Sequence, residues 1–233
     1  MSISASKLPY DGVRACRELA ASDARLRRLF GRAGPFTLEL RPTRSTFEAL
    51  LESITHQQLH GRAAMAIHGR VLDLFPARRP SAKAFLALPG APFREAGLSA
   101  SKLAAIQDLA EKCDSGLVPT FSRLGKMSDD EICERLTAVR GIGVWTVHML
   151  LIFRLGRPDV LPTGDYGVRK GFGLTMGTLR AGNPIAPGDL PKAAEIERRA
   201  TRWRGWRSVA SWYLWRACDL AAQQQSSSTR QPA

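Results

Sequence analysis

The chain has 233 residues, enough for one large domain or two small ones with a sizeable buried core. Its apolar share is 44%, and 34 basic against 21 acidic side chains leave a net charge of +13, which favours a polyanionic partner. The four cysteines (Cys16, Cys113, Cys133, Cys218) form no C-x-x-C pair, so neither a zinc site nor an iron–sulfur cluster is expected, and no apolar run approaches the ~18 residues of a membrane span.

A first helix is expected from Pro9 to Leu19 with Val13, Cys16 and Leu19 inward. A second follows Ser22-Asp23 with Leu26, Leu29 and Phe30 inward. Gly31 to Arg44 reads as loop. Ser45 or Thr46 caps a third helix, whose Phe47, Leu50, Leu51 and Ile54 fall at i, i+3, i+4, i+7. That pattern stops at Thr55-His56-Gln57-Gln58-Leu59-His60-Gly61, and a new helix is expected from Arg62 to Phe75. A short helix falls near Ala82–Leu88, and Ser99 caps another that runs to Cys113. Gly116 to Lys126 is read as connector. Ser128-Asp129-Asp130-Glu131 has capping-box spacing and starts the helix that carries Ile132 and Leu136. Beyond Gly173 come a Gly/Pro-rich loop to Leu190, a charged helix from Pro191 to Ala200 and a tryptophan-dense helix from Trp206 to about Ala222. Gln223 to Ala233 is polar and low in complexity and is expected to be disordered. No pair of strands emerges. The fold class is all-α: a two-lobed bundle of about ten helices over residues 1–222, with a cleft between the lobes.

The most informative stretch runs from Leu136 to Gly173. Gly141-Ile142-Gly143 falls between two helical patterns, the composition of a tight hairpin, with Ile142 as an apolar anchor. The second helix begins just past Gly143, so its first N–H groups and the positive end of its dipole suit a phosphate. About twenty residues on lies Pro162-Thr163-Gly164-Asp165-Tyr166, a loop that ends on one carboxylate. Asp165 is placed to cap the next helical segment.

Three motifs, GIGVWT, PTGDYGVRKG and WRSVASWYLW, make the chain resemble the helix-hairpin-helix DNA glycosylase superfamily, in detail its 3-methyladenine (alkylpurine) branch, from about Phe47 to Arg216. The resemblance implies a base-excision repair enzyme. It would flip a damaged purine out of double-stranded DNA and hydrolyse the bond to deoxyribose, leaving an abasic site. Asp165 would then stabilise the oxocarbenium-like sugar and align or deprotonate the attacking water. Gly141, Ile142, Gly143 and Thr146 would meet DNA phosphate, and Trp145, Met149 and Trp215 would line the base pocket. One of Gln58, Leu59 and His60 would fill the gap in the stack. The carbonyls of Thr137, Val139 and Ile142 would hold a monovalent cation, Na⁺ or K⁺. No other cofactor is implied. Relatives that also nick DNA carry a lysine two residues past the second hairpin glycine, where this chain has Trp145, so a monofunctional hydrolase is expected.

Lys170 is expected to meet phosphate or solvent, and His148 to pack. Met149 departs from an aromatic found in some relatives, which leaves the lesion open. About 45 residues precede Phe47, too few for the extra N-terminal β-domain of some relatives. A monomer without membrane attachment is expected, cytoplasmic and nucleoid-associated if bacterial. Two other readings stand beside this one: a DNA-binding module that keeps the hairpin without the chemistry, and a glycosylase for oxidised or deaminated bases.

Overall fold

The computed structural model describes residues 8–183 and 185–228. Among these the secondary structure is helical, with thirteen α-helices, three short 3-10 turns and no β-ladder. No described helix is long and apolar enough to cross a membrane. The described residues fall into two compact units, 41–150 in one and 8–40 with 151–228 in the other.

The first unit holds α3 (Thr46–His56), α4 (Gly61–Asp73), α5 (Ala82–Leu86), α6 (Gly90–Glu95), α7 (Ala100–Asp114), α8 (Phe121–Leu124) and α9 (Asp129–Thr137). The side chains expected to start these helices do so. Ser45 accepts from the Glu48 N–H, Ser99 from that of Lys102, and Ser128 and Glu131 form a complete capping box. Phe47, Leu50, Leu51 and Ile54 are all buried, as their spacing requires. Two short helices are not marked by a sequence pattern: α6, and α8, which lies within the stretch read as connector. A single turn is too short to show a period, and its formation rests on packing of Phe93 and Leu124.

The second unit holds α1 (Gly12–Ser22), α2 (Ala24–Ala33), α11 (Tyr166–Met176), α12 (Ala193–Ala200) and α13 (Arg207–Ser228). The helix α10 (Val144–Phe153) carries the chain from the first unit into the second. The sequence reading of α1 needs correction. Asp11 caps it, so it begins at Gly12, and its inward face is Ala15 and Leu19, while Val13 is 79% exposed. The last helix is also longer than expected. It continues through Gln223–Ser228, where disorder was anticipated, and residues 229–233 lie outside the described range. Glutamine and serine do not oppose a helix that packing has already started.

The core of the second unit is built on α11 and α13, which meet backbone to backbone. A Cβ on Gly171 would stand 1.9 Å from the Leu214 carbonyl oxygen, so only glycine permits this approach. Asp23 ties the helices around them together. Its buried carboxylate accepts two bonds from the Arg199 guanidinium, each 2.8 Å, and one from the Trp203 indole at 3.1 Å. Burial works against the charge of Asp23, but these donors and the Arg25 N–H hold its carboxyl below the usual range. Trp203 and Trp212 are core tryptophans, whereas Trp206 is half-buried and donates to Glu18.

Candidate functional site

In the first unit the site is the turn between α9 and α10. Gly141 has φ +76, the left-handed region that glycine enters without strain, and a Cβ there would stand 3.3 Å from that of Ala105. Ile142 is 4% exposed, an anchor holding the turn, and its N–H donates to Val139 O at 3.1 Å. Gly143 is different. A Cβ on it would meet nothing within 4 Å, so its lack of a side chain serves nothing inside the molecule and leaves the outer surface open to close approach. Its carbonyl accepts the Val147 N–H, so α10 starts on a residue with no side chain that could cover the first-turn amides.

The rest of α10 sorts its residues clearly. Trp145 is 50% exposed, Met149 and His148 are half-buried, and Thr146 is buried, so any role of Thr146 at a phosphate falls to its main chain. Burial lowers the pKa of the His148 imidazole, which favours its neutral form at neutral pH and fits a packing role.

The loop expected to supply a wedge lies beside the hairpin. Between α3 and α4, Gln58, Leu59 and His60 are exposed, and His60 precedes α4 without capping it by its side chain. Gln58 sits at φ 56, a conformation that costs a non-glycine residue roughly 1–2 kcal/mol. Gln57 turns the other way, and its amide donates to Gly141 O at 2.8 Å. Two side chains of α7 brace the same corner. Lys102 donates to Thr55 O at 2.7 Å, and Asp108 accepts the Arg140 N–H at 2.7 Å. Burial disfavours the Asp108 charge, but Lys112 and the Arg140 N–H keep its carboxyl below the usual range. Sequence reasoning missed Gln57, Lys102 and Asp108 as site residues. The amide of Gln57 stood in the right loop, but its target is 84 positions away and no local pattern shows it.

In the second unit the site is Asp165. The loop before it folds on itself, with the Thr163 N–H donating to Leu161 O and that of Asp165 to Pro162 O, each at 2.9 Å. The Asp165 carboxylate caps α11, its Oδ1 accepting the Val168 N–H at 2.7 Å. The same oxygen accepts the Trp215 indole N–H at 2.8 Å. Trp215, half-buried, in turn stacks on Phe153 with ring centroids 5.5 Å apart. This arrangement needs Gly167, where a Cβ would stand 2.7 Å from Trp215 Cδ1 and 3.1 Å from Asp165 Oδ1. The acid therefore both caps a helix and holds a fixed geometry against an indole, and neither role displaces the other. Gly167 and Phe153 were not singled out in the sequence. The first stands inside the PTGDYGVRKG motif, and the second carried no signal beyond its apolar helix.

The start of α13 sets the loop that leads to Asp165. Arg207 forms a forked pair with Asp159, at 2.6 and 2.7 Å, and Ser208 Oγ donates to Arg157 O while accepting the Val160 N–H. One face of WRSVASWYLW thus anchors the loop and one residue of it, Trp215, meets the acid. Cys218 donates to Gly167 O, and burial pushes its thiol up to about 11, which favours the inert thiol at neutral pH. Lys170 is half-buried on α11, beyond the capping turn.

Known proteins share this architecture. Residues 51–180 match the sequence profile of the HhH-GPD superfamily base excision DNA repair protein family. DNA-3-methyladenine glycosylase 1 of Schizosaccharomyces pombe is 33% identical over 187 residues, 78% of each chain. A solved DNA-3-methyladenine glycosidase of Bacillus halodurans superposes with a TM-score of 0.78 at 30% identity, covering 96% of this chain and 95% of that one. The S. pombe 3-methyladenine DNA glycosylase, solved in complex with abasic DNA, superposes with a TM-score of 0.72 at 31% identity, over 87% of this chain and 95% of that one. With its hairpin, its capped carboxylate and more than half its length matched, this chain belongs to the HhH-GPD superfamily of base excision DNA repair proteins.

Proposed function

We propose that the protein is a monofunctional DNA glycosylase that removes alkylated purines of the 3-methyladenine type from double-stranded DNA. The observation that carries this reading is the Asp165 carboxylate, held at Oδ1 by the Val168 N–H and the Trp215 indole. Two donors on one oxygen fix the plane of the acid before substrate arrives, the preorganisation that electrostatic catalysis needs. The names of the relatives at 33% and 30% identity support the choice of lesion.

An N-alkylated purine carries a positive charge. As the C1′–N bond breaks, its electron pair passes to the purine, which leaves neutral. The sugar becomes oxocarbenium-like, and the Asp165 carboxylate stabilises that charge. Water adds at C1′, and its proton passes to the carboxylate or to solvent. No strong general acid is required, because the leaving group already carries its charge. No amine is needed either, and Trp145 stands where strand-nicking relatives have lysine. The half-exposed indole of Trp145 and the side chain of Met149 are the lining proposed for the damaged base in the first unit. A cationic base over an indole face gains roughly 0.5–2 kcal/mol.

The hairpin amides of Gly141 and Gly143 and the main chain of Thr146 are the proposed phosphate grip, with Ile142 anchoring the turn and Gln58, Leu59 and His60 supplying the wedge. The carbonyls of Thr137, Val139 and Ile142 are neutral oxygens of one turn, the donor type a hard cation takes, so they fit Na⁺ or K⁺. An ion held there would add positive charge at the phosphate. A DNA-binding module without chemistry would use this carboxylate only as the cap of α11, so base release rather than folding separates the two readings.

The test is to incubate the protein with duplex DNA treated with a methylating agent and to separate released bases by chromatography. Free 3-methyladenine and abasic sites that break only on alkali or heat are expected. Absence of released purine, or nicking without alkali, contradicts the proposal.

A further inference from the structure

A side-chain bond joins the wedge loop to the hairpin, and α7 braces both. The Gln57 amide donates to Gly141 O at 2.8 Å. On the loop side, Lys102 of α7 closes the C-terminus of α3 through Thr55 O. On the hairpin side, two turns further along α7, Asp108 holds the Arg140 N–H, and Ala105 lies between them against Gly141. All these residues belong to the first unit.

We infer that Gln57, with Lys102 and Asp108 behind it, is a positioning residue that sets the register between the wedge and the gripped phosphate. The inference rests on the reading of Gln58 to His60 as wedge and adds the device that aims it. Gln58 sits at φ 56 next to the anchored Gln57, and a left-handed non-glycine residue persists only where its surroundings impose it. The bond from Gln57 ends on a carbonyl of the hairpin itself. A phosphate held at the hairpin amides and a side chain pushed into the base stack are therefore a fixed number of bonds apart. The distance along the DNA from gripped phosphate to extruded nucleotide is set by this link rather than by the loop's own stiffness. Gln57 need not touch DNA to do this.

The chemistry of the link makes it testable without changing its size. Gln57→Glu keeps the shape but replaces the donor by an acceptor that faces a carbonyl. Asp108→Asn keeps an acceptor for the Arg140 N–H, whereas Asp108→Ala does not.

The experiment measures single-turnover base release from methylated duplex across protein concentrations, giving a maximal rate and a half-saturating concentration. In parallel, a duplex with 2-aminopurine beside a stable abasic analogue reports unstacking by fluorescence. Gln57→Glu, Gln57→Leu and Asp108→Ala are expected to lower the maximal rate and the fluorescence gain by about 5- to 10-fold, the scale of one lost hydrogen bond, with half-saturation changed less than twofold. Asp108→Asn is expected to stay near wild type, which separates positioning from general loss of structure. Gln58→Ala should lower the fluorescence gain at least as much as the Gln57 variants.

If Gln58→Ala lowers both readouts and the Gln57 variants lower neither, positioning by Gln57 is overturned while the wedge stands. If none of the Gln57 variants, Gln58→Ala, Leu59→Ala and His60→Ala changes the fluorescence, the wedge reading fails and this inference with it. If the Gln57 variants raise half-saturation alone, the bond serves only the grip and the inference is wrong.

Discussion

Replacing Gly167 by alanine should separate activity from folding. The added Cβ would stand 2.7 Å from Trp215 Cδ1, 3.0 Å from its Nε1 and 3.1 Å from Asp165 Oδ1. Carbon atoms in ordinary contact lie about 3.5–4.0 Å apart, so the indole must retreat by roughly 1 Å. It is not free to do so at no cost, because it stacks on Phe153. Overpacking of this kind costs about 1–3 kcal/mol, and alanine returns about 1 kcal/mol of helix propensity within α11. The net loss of about 0–2 kcal/mol leaves a typical domain folded at 25 °C. The bond from Trp215 to Asp165, now 2.8 Å, would stretch past any useful length. A catalytic group displaced by about 1 Å costs on the order of 100-fold in rate. Single-turnover base release should therefore fall about 100-fold, while a thermal melt followed by circular dichroism moves by a few degrees. Wild-type release by Gly167→Ala would refute the idea that the indole positions the acid. So would a loss of activity that merely tracks the fraction unfolded.

The neighbouring glycine should behave in the opposite way. Gly171→Ala puts a Cβ 1.9 Å from the Leu214 carbonyl oxygen, a backbone atom that cannot rotate aside, and chemical denaturation should show a loss above about 3 kcal/mol. Asp165→Ala removes the helix cap as well as the charge and should cost about 1 kcal/mol, whereas Asp165→Asn keeps an acceptor for the Val168 N–H and should melt near wild type. Asp23 should govern part of the acid limb of stability. Its carboxyl is held low in the folded state, so its contribution is present above the unfolded value near 3.9 and drains as pH falls through the folded value. Asp23→Asn should lose about 3 kcal/mol at pH 7, measured by denaturant titration, and that deficit should shrink below pH 4. A deficit that stays constant down to pH 2 would contradict the assignment.

Much of this molecule is legible from sequence because its helices are locally specified. Ser45, Ser99 and Ser128 announce their helices by chemistry that acts over three residues, and the buried stripe of α3 repeats at helical spacing. Asp165 could be placed at a helix start for the same reason. What the sequence hid is what depends on distant partners. Val13 fits an apolar stripe on α1 and yet faces solvent, because the partners of α1 cover the face of Ala15 and Leu19 instead. Gln57 and Gly141 are joined across 84 positions, and Trp215 and Asp165 across 50. Gly167 reads as an ordinary helical glycine until the indole beside it is seen. Gln223 to Ser228 are helical although composition suggests disorder, because composition reports the absence of a core-forming face, and a helix already begun at Arg207 needs none to continue.

The central claim is that the Asp165 carboxylate drives bond cleavage. Its most direct test is the single-turnover release of 3-methyladenine by wild type and Asp165→Asn, at protein concentrations that saturate the methylated duplex. A rate lower by about 100- to 1,000-fold, with unchanged half-saturation and unchanged melting temperature, is the expected result for loss of one charge aimed at the transition state. Equal rates for the two proteins would contradict the account.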